Sequence, residues 1–242
     1  MILAIALLGS GRADTWAETA ADIPDDKHQA IVFFGVYTQW YKFAEALPQH
    51  TLKICNADSR RVQDFPSVKE LFQARLIILS DVSGREFSDS QLKQLKSYVE
   101  RGGSLLVMGG PFTLGLGGFE ENALGEMLPV RLAPFDLKWE KAGKPITASK
   151  EHALLKGVSF EQKPLLFWVH DVKPKDAAAV VLVAGDHPVL ITGHYGKGAV
   201  AVFAGTPMGS PAQGQTPFWV WNDWPKLIAN LAAWLESGGG KQ

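Results

Sequence analysis

Between residues 75 and 110 the chain spells out one complete folding unit. Residues 75–80 (RLIILS), apolar from Leu76 to Leu79, read as a buried strand. Ser88 and Gln91 then stand in the Ser-x-x-Gln spacing that starts a helix. In that motif the hydroxyl accepts the third helical amide, and the glutamine reaches back to the serine amide. Leu92, Leu95 and Val99 share one face of this helix, and Gly102-Gly103 predicts a left-handed stop. Residues 104–108 (SLLVM) are a second buried run, followed at once by Gly109 and Gly110. Two apolar strands joined through a helix cannot pair as a tight hairpin. The crossover is right-handed and makes the strands parallel, which commits the chain to an α/β fold.

The rest of the chain extends this unit. Residues 30–35 (AIVFFG) and 51–55 read as two further strands. Between them, Trp40, Phe43, Ala44 and Leu47 lie at helical spacing within 37–47, and Pro48 ends that helix. A brief helix over 68–72 follows Pro66. Strands 30–35, 51–55, 75–80 and 104–108 are expected as parallel neighbours, with the 89–101 helix across them. The second half differs. Residues 131–163 are irregular with short strands, while 178–184, 189–195 and 199–204 are β-rich. The last two are joined through Gly196-Lys197-Gly198, a hairpin-like link. Residues 207–217 (PMGSPAQGQTP) form a loop, and 224–235 an amphipathic helix with Leu227, Ile228, Leu231 and Trp234 on one face. The expected fold is a three-layer α/β/α, flavodoxin-like domain over 30–236, with a mainly parallel sheet and an antiparallel C-terminal extension. Residues 1–21 read as a signal peptide, 22–29 as a linker and 237–242 as a disordered tail.

Composition excludes several functions. The net charge is −1 over 242 residues, so bulk electrostatics favour neither nucleic acid nor an anionic membrane. Cys55 is the single cysteine, which rules out an intramolecular disulfide and a multi-cysteine metal site. His187 and His194 are seven apart, and His152 and His170 are isolated, so no metal-ligand spacing is present. No metal and no cofactor is expected. Residues 2–8 (ILAIALL) are apolar, with small-residue cleavage sites after Ala17 or Ala21. That layout predicts export, although no Lys or Arg precedes the run. No segment reaches the ~18 uninterrupted apolar residues of a membrane span.

Two stretches carry a family resemblance. One is RLIILSDVSGREFSDSQLKQLKSYVERGGSLLVMGG, continued by PFTLGLGGFEENALGEMLPV. The other is HPVLITGHYGKGAVAVFAGTP with the closing WNDWPKLIANLAAWL. In order and spacing they resemble the class I glutamine amidotransferase-like superfamily over roughly residues 30–236. Catalytic members place a cysteine on a sharp turn after a strand, with backbone amides to hold the oxyanion and a late His–Glu pair to activate the thiol. The resemblance puts that turn at Gly109 or Gly110, neither of which carries a side chain. Cys55 lies on an earlier strand, and no His-x-Glu pair occurs near 187–206. The resemblance therefore implies the fold without the glutaminase reaction, and no catalytic residue is assigned.

The candidate ligand-binding residues gather where parallel strands end, since ligands of open α/β sheets bind beyond the carboxyl ends. Gly35, Asp81, Gly109 and Gly110 each follow a strand, and Pro111 and Thr113 begin the next loop. The loop amides could cradle an anion or a sugar hydroxyl, or the glycines could serve backbone geometry alone. Asp81 reads as an acid, base or acceptor, or as a cap for the loop before Ser88, the cap being favoured. His170, beside Asp171, is placed at the sheet edge. Trp219 and Trp221, in the cluster FWVWNDW, can stack on sugar rings or pack the terminal helix onto the sheet. Packing is favoured, because tryptophan is highly buried on average. The expected function is a non-catalytic binding or interaction module, exported, whose partner is a small molecule, a carbohydrate or a protein. The alternative is a hydrolase or amidase using Asp81 and His170. A third reading is a subunit of a cell-envelope complex that docks through its aromatic segment.

Overall fold

A computed structural model describes residues 30–37, 39–55 and 62–240. The leader, the linker and residues 241–242 lie outside the described residues. The apolar runs become β1 (Ala30–Gly35), β2 (Thr51–Cys55), β3 (Leu76–Ser80) and β4 (Ser104–Met108). Helix α1 (Phe43–Ala46) lies between β1 and β2, and α2 (Val68–Gln73) between β2 and β3. Helix α3 (Asp89–Glu100) joins β3 to β4. After β4 come α4 (Ala123–Met127), β5 (Val130–Arg131), β6 (Leu137–Ala148), β7 (Leu165–His170) and β8 (Lys173–Pro174). The chain closes with β9 (Ala179–Ala184), β10 (His187–Tyr195), β11 (Gly198–Phe203), β12 (Gly205–Thr206) and α5 (Trp224–Glu236).

The sheet runs β2-β1-β3-β4-β11-β10-β9-β6-β7-β12. From β2 to β11 every pairing is parallel, and from β11 to β12 every pairing is antiparallel. The fold is therefore mixed α/β. Its antiparallel part is as large as its parallel part, rather than an extension of it. β3 and β4 are buried at every position, as strands covered on both faces must be. Helix α5 packs on β3, β4 and β11, where Ser104 Oγ donates to the Leu235 carbonyl at 2.7 Å. Helix α3 packs on β4 and β11 and is flanked by α2 and α4. The predicted Ser88/Gln91 capping box is present, and so is one at Ser67/Glu70 that the sequence reading did not name.

Four expectations change. The 37–47 helix shrinks to one turn, because Tyr37 and Lys42 take left-handed φ of 72° and 53°. Tyr41, not Trp40, then points into the core: Tyr41 is fully buried and Trp40 is 45% exposed. The irregular 131–163 region holds the 12-residue strand β6, which bulges between Trp139 and Lys144. Only Ile146 of that strand is buried, so it carries no apolar alternation to read. β7 (Leu165–His170) adds a strand beyond those the sequence pattern predicts. Finally, residues 237–240 are a defined turn. Gly238 N–H donates to the Leu235 carbonyl and Gly239 N–H to the Trp234 carbonyl, both at 2.9 Å.

Candidate functional site

The parallel strands deliver Gly35, Ser80, Met108 and Phe203 to one edge, in register with one another. Asp81 is fully buried there, with a left-handed φ of 51°. Its Oδ1 accepts the Phe112 amide at 2.7 Å, so it fastens the loop after β4. The loop before α3 is capped by Ser83, whose hydroxyl accepts the Arg85 amide. Thr113 is buried and donates to the Met108 and Gly110 carbonyls.

β7 brings His170 to the same place. Its Nδ1 lies 2.8 Å from Asp136 Oδ1, and its Nε2 lies 3.1 Å from the Gly110 carbonyl. Both side chains are wholly buried. Asp136 also accepts the Gly115 and Leu116 amides, at 3.0 and 3.2 Å. Tyr41 completes the cluster, donating to the Gly109 carbonyl at 2.7 Å and reaching the Gly205 carbonyl at 3.2 Å. Burial pushes its phenol well above the usual range, and the nearby Asp81 carboxylate adds to that. The structure thus brings Asp81, His170, Gly109, Gly110 and Thr113 together at one edge. It adds Asp136 and Tyr41, which the sequence reading missed. Asp136 and His170 are 34 positions apart with an unassigned strand at one end, so no spacing motif could flag them.

The glycines do not leave room for a side chain. A Cβ on Gly110 would stand 2.5 Å from Asp81 Cβ. On Gly109 it would stand 2.5 Å from the Gly205 carbonyl oxygen, and on Gly35 1.7 Å from that of Ser80. Gly35 also needs its φ of 110°. All three therefore serve close strand-end packing, the backbone-geometry role of the two readings open to them. Trp219 and Trp221 are buried, at 7% and 1% exposure, and Trp221 Nε1 donates to the Ser159 carbonyl. Neither presents an open face to a sugar ring. Pro111 is half-buried at the start of its loop. The 207–217 loop is fastened to β6 and β7, through Leu165 N–H to the Thr216 carbonyl and Gln215 to the Ala142 carbonyl. Cys55 is buried on β2, and burial pushes its thiol up to about 11, far from an activated nucleophile.

Among the described residues no cluster of three or more His, Cys, Asp or Glu is suited to a metal, and no helix is long and apolar enough to cross a membrane. Comparison with curated proteins finds no match. Several solved structures share the fold. The Cytoplasmic Protein STM3548 from Salmonella typhimurium is 23% identical with a TM-score of 0.71, over 85% of this chain and 98% of that one. The Cytoplasmic Protein STM1381 from Salmonella typhimurium LT2 is 20% identical with a TM-score of 0.70, over 85% and 99%. A cold-adapted beta-galactosidase from Rahnella sp. R3 is 12% identical with a TM-score of 0.56, and the match spans 89% of this chain but 32% of the enzyme. The family GATase1_like, "Putative glutamine amidotransferase", matches residues 35–237. With that match spanning nearly the whole described chain, the protein belongs to the GATase1-like family of glutamine amidotransferase-like domains.

Proposed function

We propose that this chain is a non-catalytic glutamine amidotransferase-like domain that serves as a ligand-binding or protein-interaction module. One observation carries the reading. Where the family's thiol would stand, Gly109 and Gly110 have no side chain, and the Gly205 carbonyl and the Asp81 side chain already fill the space one would need. Asp81, Asp136 and His170 are bonded to backbone and to one another rather than turned towards a substrate. A protein partner is favoured over a small molecule by what the edge exposes. Trp40 follows β1, Phe112 follows β4, and Phe135 and Trp139 flank the Asp136–His170 pair, all of them large apolar side chains more than 40% exposed. Apolar side chains grouped on a protein surface mark contact sites. The strand order β2-β1-β3-β4-β11 supports a flavodoxin-like reading of the parallel half.

The test is ammonia release from glutamine. It is expected to equal that of heat-denatured protein, and to be unchanged in Cys55→Ser. Release that tracks the folded protein would refute the reading. A second reading, a hydrolase or amidase built on Asp81 and His170, draws on the His170–Asp136 pair, since a carboxylate on Nδ1 orients an imidazole for proton transfer. Turnover of p-nitrophenyl acetate that disappears in His170→Ala would favour it. Export is proposed on residues 2–8, against the naming of both Salmonella relatives as cytoplasmic proteins. Sequencing the amino terminus of the mature protein decides between the two.

A further inference from the structure

On another part of the molecule, an open groove of about 650 Å³ runs along the end of β6 and the 150–160 segment. None of the residues that line it belongs to the carboxyl-edge cluster. Its floor is apolar, formed by Leu155, Val158 and Phe160. Its rim carries Lys150, Glu151 and Lys156. That volume and lining are those of a small-molecule site, which is mostly apolar with a few polar groups to fix orientation.

The segment has little regular structure, only one short turn at Ala153–Leu155. It is nonetheless held at several points by side chains from α5 and the segment before it. Asn230 donates to the Leu154 and Lys156 carbonyls, and Lys226 to the Gly157 carbonyl. Asp223 accepts the Ser159 amide, and Trp221 Nε1 donates to the Ser159 carbonyl. The groove is therefore preformed, which spares a ligand the cost of ordering it. Phe160 is packed against Trp221 with ring centres 5.1 Å apart, so the floor is fixed as well.

The charges select the occupant. Lys53, Lys96, Lys144 and Lys226 each pair with a carboxylate, but Lys150 and Lys156 make no ion pair among the described residues. Two ammonium groups against the one Glu151 carboxylate leave a single positive charge over an apolar floor. His152 supplies a neutral donor. Its Nδ1 accepts the Leu154 amide, which leaves the proton on Nε2, and burial together with Lys150 holds its basicity below the usual range.

We propose that this groove binds a monoanionic amphiphile, with a short alkyl or aryl body on Leu155, Val158 and Phe160 and a carboxylate between Lys150 and Lys156. Octanoate and octanol, which share a body and differ in charge, separate the two contributions by isothermal titration calorimetry. Octanoate is expected to bind with one-to-one stoichiometry and about tenfold more tightly than octanol, since two partly exposed charge contacts together account for about that factor. The double variant Lys150→Glu/Lys156→Glu should erase the preference, and Val158→Asp should weaken both ligands. Circular dichroism melting checks that each variant is folded. Lys150→Glu/Lys156→Glu changes only exposed side chains, so it keeps the test valid if Val158→Asp fails to fold. Equal affinity for the two ligands, octanoate binding untouched by the charge reversal, or no saturable binding would each overturn the proposal. Tighter binding of octyl phosphate than of octanoate would overturn its single-charge form.

Discussion

Asp81 occupies the volume that a side chain on Gly110 would need: a Cβ there would stand 2.5 Å from Asp81 Cβ and 2.6 Å from its Oδ1. The two residues follow adjacent parallel strands, so neither backbone can retreat without disturbing the sheet. Gly110→Ala is therefore expected to cost about 1–3 kcal/mol, the range for overfilling a packed interior. Gly110→Leu should cost more and lower the thermal midpoint. In an Asp81→Gly background the alanine should cost clearly less, because the obstructing atoms are gone. Urea unfolding of the four proteins measures the coupling. Equal cost in both backgrounds would show that Asp81 is not the obstacle.

The His170–Asp136 pair is expected to be a stability element. Asp136→Ala orphans the Gly115 and Leu116 amides as well as the imidazole, and should cost roughly 2–4 kcal/mol. His170→Ala should cost a similar amount, and the double variant less than the two combined. Chemical denaturation reads this. A His170→Ala protein of undiminished stability that has lost a measurable turnover would instead mark the pair as catalytic.

Stability should fall in alkali, and part of the fall belongs to Cys55. Its ordinary thiol value of 9.0 is pushed up to about 11 by burial on β2. Between these values the unfolded chain has released the proton while the folded chain still holds it. Stability therefore declines as pH rises through that window, and the contribution is fully present below about pH 9. Cys55→Ser should flatten the slope of urea midpoint against pH between 9 and 10. Above pH 10 a slope of the same sign should persist, because burial also raises Tyr41 and Tyr98. An unchanged slope in Cys55→Ser would show that the thiol is not shielded.

Two tryptophans should behave in opposite ways. Trp221 is 1% exposed and packed against Phe160, and Trp221→Ala should cost about 3–5 kcal/mol. Trp139 is 58% exposed and stacks on Trp168 across the β6–β7 pair, with ring centres 6.1 Å apart. Trp139→Ala should cost roughly 1 kcal/mol or less, the scale of one cross-strand pair. Thermal melts of the two variants give the contrast. A large loss in Trp139→Ala would mean that its ring supports the fold rather than an outer surface.

The parallel half was legible because its signals are local. Five-residue apolar runs, Ser88 with Gln91 and the Gly102–Gly103 stop each lie within one element, and the apolar period decides between strand and helix. The antiparallel half was harder for a physical reason. β6 exposes most of its side chains and loops out four residues opposite Phe167, so neither alternation nor length marks it. The site was half legible. Topology alone brings Gly35, Asp81 and Gly110 to one edge. It does not say that the Gly110 position is already filled, which depends on the left-handed turn at Asp81. Asp136 and Tyr41 join through long-range packing: Tyr41 reaches Gly205 across 164 positions, and only the folded chain shows that contact.

The pairing of β4 with β11 sets a timetable for biosynthesis. Val107 of β4 lies in register with Val202 of β11, and no strand between them in sequence supplies that neighbour. A ribosome adding about 5–20 residues per second emits β4 several seconds before its partner. During that interval SLLVM is a bare apolar edge, the kind that templates aggregation. Shortened chains ending before residue 198 should therefore be insoluble, however well their first four strands are formed. In the cell, the nascent chain needs that edge shielded until the β10–β11 hairpin arrives.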